Sequence, residues 1–239
     1  MKLTRMELKN IAKDRIRGNI LFFLVCGLIV SGISFFLSLI YALPMHYQEG
    51  IGMIEMINSN RGGFILIVLS FLVMMPLSFG VYFTFMKIYR NKNDKKFNHL
   101  FSCFNSEKLG RIYLVTILQV VFVFLWSLLL VVPGIIKAYA YSQANYLILD
   151  EPQLKPMEAL HKSSELMYGH KFELFILQLS FFWWMLLSSI SFGIAMIYVF
   201  PYMEMTFVAF YYYLRKEVLG DNTKYMNDTP EEGVYHYNG

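Results

Sequence analysis

The sequence predicts an all-α, polytopic integral membrane protein with six transmembrane helices, arranged as three hairpins. Three observations lead to this fold class. Of the 239 residues, 56% are hydrophobic and only 16% are charged, whereas a soluble chain usually has about a quarter charged residues. The charges are concentrated in blocks, and the apolar stretches between them are long enough to cross about 30 Å of hydrocarbon as helices. Prolines stand where pairs of these stretches meet.

Four apolar stretches are long enough to span the membrane, and two shorter ones each follow a proline. Proline is tolerated in the first turn of a helix, where its missing N–H loses no bond. We therefore interpret Pro133 and Pro201 as tight corners between antiparallel spans. Reading the third and fourth spans, or the fifth and sixth, as single helices would make them far too long for the bilayer. The predicted spans are 20–43, 63–85, 112–132, 134–149, 172–200 and 202–214.

The basic residues fall almost entirely on one predicted side of the membrane. They precede the first span, fill the loops after the second and fourth, and follow the sixth, whereas Arg61 lies in an outer loop. Because Lys and Arg are enriched in cytoplasmic loops, both termini are predicted to be cytoplasmic. The predicted domains are an amphipathic N-terminal helix (1–19), a transmembrane domain (20–214) and a mobile tail (215–239).

Three segments that end in glycine and a polar residue precede the odd-numbered spans, and they indicate an internal repeat. They cover 7–19, 99–111 and 158–170, and each mixes apolar and charged positions at near-helical spacing. A basic amphipathic helix of this kind lies in the membrane interface, where each basic residue attracts anionic headgroups by about 1 kcal/mol. The candidate interfacial, lipid-binding residues are Lys9, Lys13, Arg17, Arg111, His170 and Lys171.

The second half of the chain carries motifs of a known family. The runs "VPGIIKAYAYSQANYLILDEP", "EALHKSSELMYGHKFELFILQLSF" and "FPYMEMTFVAFYYYL" resemble the bacterial family of integral membrane proteins called domain of unknown function 975. The resemblance extends over nearly the whole chain to about residue 214. It implies a fold-level grouping and a bacterial plasma membrane, and it implies no established activity.

Polar side chains inside the predicted spans are the candidate binding residues. Lys137 lies about one helical turn past Pro133, so its ammonium either reaches the outer interface or pairs with Glu204, which lies at a matching depth. Gln143 and Asn145 fall near mid-span, where amides either join helices at about 0.6 to 2 kcal/mol each or line a polar cavity. Tyr139 lies close by in the same segment.

The end of the fourth predicted span carries Asp150 and Glu151, followed by a proline. Proline resists continuation of the helix, so we interpret this sequence as a stop signal, with a contact to Lys171 or His170. The two carboxylates are adjacent, but nothing in the sequence indicates the burial that catalytic use would need.

Composition and motifs narrow the function classes. The chain has no zinc-protease, nucleophile-elbow or phosphate-loop motif, and its two cysteines suggest neither a disulfide framework nor a metal site. The net charge of +4 comes from residues beside spans, so nucleic acid is not expected. We expect no enzyme and no cofactor.

The favoured hypothesis is a plasma-membrane protein acting through lipids, a membrane-protein partner or its own oligomer, in envelope homeostasis or an accessory role. The alternative is a transporter with a polar route near Lys137, Glu204, Gln143 and Asn145.

Overall fold

The computed structural model describes the backbone of residues 4–45, 53–191 and 193–220, and the side chains of these except 40–45, 53–67 and 106–107. All regular structure in this part is helical, with no strand. A 3-10 turn (Ser102–Phe104) links α4 and α5. The helices are α1 (Arg5–Ile16), α2 (Ile20–Met45), α3 (Met53–Arg90), α4 (Asn98–Phe101), α5 (Ser106–Leu129), α6 (Val131–Tyr141), α7 (Ala144–Asp150), α8 (Pro156–Leu166), α9 (Lys171–Leu179), α10 (Phe182–Ile190) and α11 (Met196–Leu219).

Four stretches are long and apolar enough to cross a membrane. They are Ile20–Leu39, Val68–Arg90, Lys108–Leu129 and Lys171–Ile190, and they fall within or overlap the first, second, third and fifth predicted spans. The protein is therefore a helical membrane protein. The fourth and sixth spans, which complete the predicted count of six, stay predictions.

The corner between α5 and α6 lies close to Pro133. Leu130 has an extended backbone (φ −161°, ψ 145°) between the two helices, so the chain turns three residues before the proline. Gly134 lets α6 approach α5 closely, because a Cβ atom there would lie 2.9 Å from the Cα of Ser127. The apolar run therefore folds into two adjacent helices.

The corner predicted at Pro201 is wrong. Pro201 lies inside α11, which begins at Met196. The turn that precedes α11 instead contains Gly193, whose φ of 87° is a conformation that residues with a Cβ rarely adopt. The Gly193 N–H also bonds to the Ser188 carbonyl at 2.8 Å, which closes α10. A proline near the start of a helix therefore does not by itself indicate a corner, because a helix tolerates the one backbone hydrogen bond that the proline cannot donate.

The predicted span 134–149 is broken at Ser142 and Gln143, between α6 and α7. Ser163 of α8 fits into this break. Its hydroxyl donates to the Ala140 carbonyl at 2.8 Å and accepts from the Gln143 N–H at 3.1 Å. One buried side chain thus satisfies a carbonyl and an N–H that the interrupted helix leaves without backbone partners.

Within the described side chains, α3 and α5 are buried toward one end and become exposed away from it. In α3, Phe71 is exposed whereas Ile88 is fully buried. In α5, Val115 is fully buried, and the apolar side chains near the other end are exposed, Leu129 among them. The buried ends meet α1, α4, α7, α8 and most of α11. This packed end also carries the basic loops that the sequence predicts to be cytoplasmic.

The first and third predicted interfacial segments form α1 and α8, and both pack against the bundle. In α1 the buried side chains are Leu8, Ala12 and Ile16. Gly18 and Gly169, which follow these two helices, have the same φ of 82°. The middle segment differs, because it consists of α4, the 3-10 turn and the start of α5. The threefold repeat and the interfacial position of these segments stay predictions.

The predicted tail begins at residue 215, but α11 continues to Leu219. Residues 221–239 lie outside the described part of the chain, and so do residues 46–52 of the predicted outer loop. Residues 53–62, which are also predicted to belong to that loop and include Arg61, instead form the beginning of α3.

Candidate functional site

Asp150 is the centre of a buried ion-pair cluster at the packed end. Its side chain is only 2% exposed, and it pairs with Arg90 from the end of α3 and Arg215 from α11. The Tyr211 hydroxyl donates to the Asp150 Oδ2 atom at 3.0 Å. Since α7 ends at Asp150 and Glu151 is extended, the carboxylate projects where three helices meet. The arginines supply the countercharge that a buried carboxylate requires.

A second carboxylate extends the cluster. The Lys162 ammonium donates to both carboxylate oxygens of Glu151, at 2.7 and 2.8 Å, and Arg215 Nη1 lies 3.3 Å from Glu151 Oε1. The contact predicted from Asp150 and Glu151 to Lys171 or His170 is therefore wrong. His170 is buried and has Glu173 as its partner, at 2.8 Å. The actual partners come from helices that are distant in sequence.

A cleft of about 250 Å³ lies beside this cluster, between α3, α5 and the end of α7. Its walls include the apolar side chains of Phe83, Ile112 and Ile148. Its single carboxylate is Asp150, which is already paired with two arginines. Positive charge therefore prevails in the cleft. The cations that line it are Lys87, Arg90, Lys108 and Arg111.

The cations are held by aromatic rings and backbone carbonyls. The ammonium groups of Lys87 and Lys108 lie 5.1 and 5.2 Å from the ring centroid of Phe83. Arg111 Nη2 donates to the carbonyls of Glu151 at 3.1 Å and Leu154 at 2.6 Å. Among the described side chains, none of these three cations has a carboxylate within 4.0 Å. These described contacts position the three cations without a direct ion pair.

Lys137, predicted as an outer anchor or an ion-pair partner, contacts aromatic rings. Its ammonium lies 4.9 Å from the ring centroid of Trp126 and 5.8 Å from that of Tyr141. No ion pair joins it to Glu204, which is buried and whose Oε2 atom has no hydrogen-bond partner among the described residues. The Tyr139 hydroxyl, in the same helix as Lys137, donates to Gln178 at 2.8 Å.

The two amides predicted at mid-span lie beside the break between α6 and α7. Gln143 is buried, and its amide nitrogen donates to the Ser142 hydroxyl at 3.0 Å. The Gln143 Oε1 and Asn145 Oδ1 atoms have no partner in the described part of the chain. The contacts of Lys137, Glu204, Gln143 and Asn145 do not join these residues to one another.

The candidate interfacial residues divide into two groups. Lys9 and Lys13 lie over aromatic rings of the bundle, at 4.5 and 5.8 Å from the centroids of Phe181 and Tyr202. Arg111 and His170 are engaged in the contacts described above. The remaining two are the exposed Arg17 and the partly exposed Lys171.

Sequence reasoning missed the cleft, because it counted Lys87, Arg90 and Lys108 only as markers of the cytoplasmic side. A signal was present. Lys87 and Arg90 are three residues apart, and so are Lys108 and Arg111. Residues at this spacing share one helix face, so each of two helix ends presents a pair of cations. Among the described residues, no group of His, Cys, Asp and Glu has the arrangement of a metal site.

Membrane-crossing helices that converge on a packed, basic end define a polytopic helical membrane protein. Two overlapping matches, over residues 1–138 and 128–218, show that the chain belongs to the family described as "Protein of unknown function (DUF975)". No curated protein and no solved structure matches the chain.

Proposed function

We propose that this is a non-enzymatic protein of the bacterial plasma membrane that acts by binding anionic phospholipids at its packed end. In this proposal six helices cross the membrane as three hairpins, each preceded by an interfacial helix, and both termini are cytoplasmic. An accessory role beside another membrane protein, or one in envelope homeostasis, is consistent with such binding. The supporting observation is the set of basic side chains at the packed end that aromatic rings and carbonyls hold in place, with no carboxylate within 4.0 Å among the described side chains.

The placement of these cations favours lipid binding over a purely topological role. A basic residue that only marks the cytoplasmic side needs no fixed position. Here Lys87 and Lys108 lie against one ring, and Lys9 lies against another. Side chains that are ordered before binding lose less entropy when they meet a ligand. Each also contributes about 1 kcal/mol of attraction to an anionic membrane surface.

Thermal unfolding in defined lipids tests this proposal. The full-length protein is placed in mixed micelles with increasing phosphatidylglycerol, and phosphatidylcholine is the matched zwitterionic control. A ligand that binds only the folded state stabilises it by about 2.7 kcal/mol at one hundred times its Kd. We expect a rise in Tm with phosphatidylglycerol that weakens at high salt. An equal rise with phosphatidylcholine contradicts the proposal.

A transporter is the second candidate, and one observation favours it. Gln143 Oε1, Asn145 Oδ1 and Glu204 Oε2 are buried acceptors without partners among the described residues. Buried polar atoms are normally hydrogen-bonded, so ordered water or a polar solute in this region would satisfy them. Single cysteines at 143 and 145 in a cysteine-free protein, treated with a membrane-impermeant thiol reagent in intact cells, test this. Labelling there supports a water-filled route, and protection of both positions opposes it.

A further inference from the structure

We propose that the basic cleft between α3, α5 and the end of α7 is a binding site for a single phosphoryl group. The inference rests on the proposed function in taking this group from the headgroup of an anionic phospholipid. The same chemistry also accepts free inorganic phosphate, and the experiment below separates the two sources.

Two pairs of cations from two helices converge on the cleft. Lys87 and Arg90 come from the end of α3, and Lys108 and Arg111 come from the beginning of α5. The pairs share their i, i+3 spacing, which places both members on one face of each helix. The cleft thus presents donors from two sides, which suits a tetrahedral anion with several acceptor oxygens.

Among the described side chains that line the cleft, cations outnumber carboxylates. Four cations line the cleft against one carboxylate, Asp150, and Arg215 also pairs with that carboxylate from outside the lining. Like charges that line one cleft repel one another, and an anion bound among them offsets this repulsion. The ligand that best offsets this positive charge is therefore a compact anion.

The basic side chains in the cleft differ in how many of their N–H groups already bind protein atoms. Arg90 pairs with Asp150, and its Nε atom donates to the Tyr212 hydroxyl at 2.7 Å. In this proposal Arg90 therefore lines the cleft and is not a main donor to the ligand. Arg111 uses Nη2 for two backbone carbonyls, and a guanidinium has five N–H donors in all. Its Nε and Nη1 atoms make no hydrogen bond among the described residues and are the donors assigned to a ligand in this proposal. Lys87 and Lys108 supply two ammonium groups beside them.

Phe83 positions both lysines at the cleft. Both ammonium groups lie within 5.2 Å of its ring centroid, a distance at which a cation is attracted to the face of an aromatic ring. The ring therefore orders both lysine side chains before any ligand arrives. The cleft volume of about 250 Å³ corresponds to roughly eight water molecules at about 30 Å³ each, which is room for a phosphoryl group and its nearest waters.

The experiment measures binding of three probes to the full-length protein in non-ionic detergent. The probes are short-chain phosphatidic acid, short-chain phosphatidylcholine and inorganic phosphate. The test variant is Lys87→Gln/Lys108→Gln. The control is Lys95→Gln/Lys96→Gln, which removes the same charge from two exposed lysines of the loop between α3 and α4, and Lys87→Arg/Lys108→Arg restores charge to the cleft. The Tm of each variant without ligand shows that it is folded.

We expect the cleft variant to bind phosphatidic acid about 30-fold more weakly, from the loss of two basic contacts. The loop control should stay within about twofold of the parent protein, and the arginine variant should recover most of the affinity. Equal weakening by the cleft and loop variants overturns the cleft site while leaving lipid binding intact. A parent protein that binds inorganic phosphate through Lys87 and Lys108 but no lipid supports the phosphoryl site and refutes the lipid proposal. Absence of binding by all three probes overturns both.

Discussion

Replacement of Asp150 by asparagine is the most direct test of the ion-pair cluster. The amide has nearly the same shape as the carboxylate, so the change removes charge while preserving volume. Removing one partner of a buried ion pair usually costs 3 to 5 kcal/mol, because the other partner is left uncompensated. Arg90 is 25% exposed and Arg215 is 13% exposed, so water relieves part of this cost. We therefore expect Asp150→Asn to lose about 3 kcal/mol.

Thermal unfolding of the full-length protein in detergent measures this loss. In a chain of this size, 1 kcal/mol corresponds to about 2 to 4 °C in Tm, so Asp150→Asn should unfold roughly 6 to 12 °C below the parent. The matched control is Glu151→Gln. Glu151 is the adjacent carboxylate, but its side chain is 26% exposed and solvent weakens its pairs. We expect this control to lose less than about 1 kcal/mol.

A double variant separates loss of charge balance from general damage. In Asp150→Asn/Arg215→Gln one of the uncompensated arginines is removed together with the carboxylate. Contacting charges show interaction energies of about 0.5 to 3 kcal/mol in such cycles, so the double variant should lose less than the sum of the two single variants. Strict additivity, or an Asp150→Asn loss no larger than that of Glu151→Gln, would refute the reasoning.

Three further substitutions probe the local structure. Ser163→Ala leaves two buried backbone groups without their partner and should cost about 1 to 3 kcal/mol, against little change for Ser164→Ala. Gly134→Ala places a Cβ atom 2.9 Å from the facing backbone of α5 and should cost about 1 to 3 kcal/mol. Thr4→Ala removes a capping box with Glu7 and should cost about 0.5 to 2 kcal/mol. The Thr4 hydrogen bonds lower the pKa of Glu7, so the cap contributes fully above the usual pKa and is lost as pH falls through the lowered value.

Denaturant titrations of the purified variants measure each of these losses. For the glycine, Gly110→Ala within α5 is the control, since a Cβ atom there meets nothing within 4 Å. We expect it to be neutral or stabilising by up to about 1 kcal/mol. Equal stability of the two alanine variants would contradict the close approach of α5 and α6. A Thr4→Ala loss that is the same at pH 7 and pH 3 would contradict the proposed titration of the cap.

Apolar length was sufficient to predict the four helices that can cross a membrane. It failed where short segments depend on partners elsewhere in the chain. The segment 134–149 has the composition of one helix, and its break at Gln143 is stabilised by Ser163 from α8. Pro201 resembled Pro133 in its setting, but a glycine with positive φ at 193 makes the turn earlier. Local sequence alone does not contain either constraint.

The candidate site was less predictable than the fold. Asp150 was recognised as a helix end, but its partners Tyr211 and Arg215 lie 61 and 65 residues further along the chain. The sequence around Asp150 does not predict which residues so far along the chain will contact it. The i, i+3 spacing of Lys87 with Arg90 did indicate a shared face, yet which helix meets that face depends on tertiary packing.

The gradient of burial along the long helices has a mechanical consequence. The helices hold one another at the packed end, whereas toward the other end their apolar side chains face outward and are covered by acyl chains rather than by protein. Fewer side chains of the protein hold the helices together in that half, so a gap between helices there breaks less packing than a gap at the packed end. The ion pairs of Arg90, Asp150 and Arg215 lie at the packed end, where they add to the resistance against separation of α3, α7 and α11.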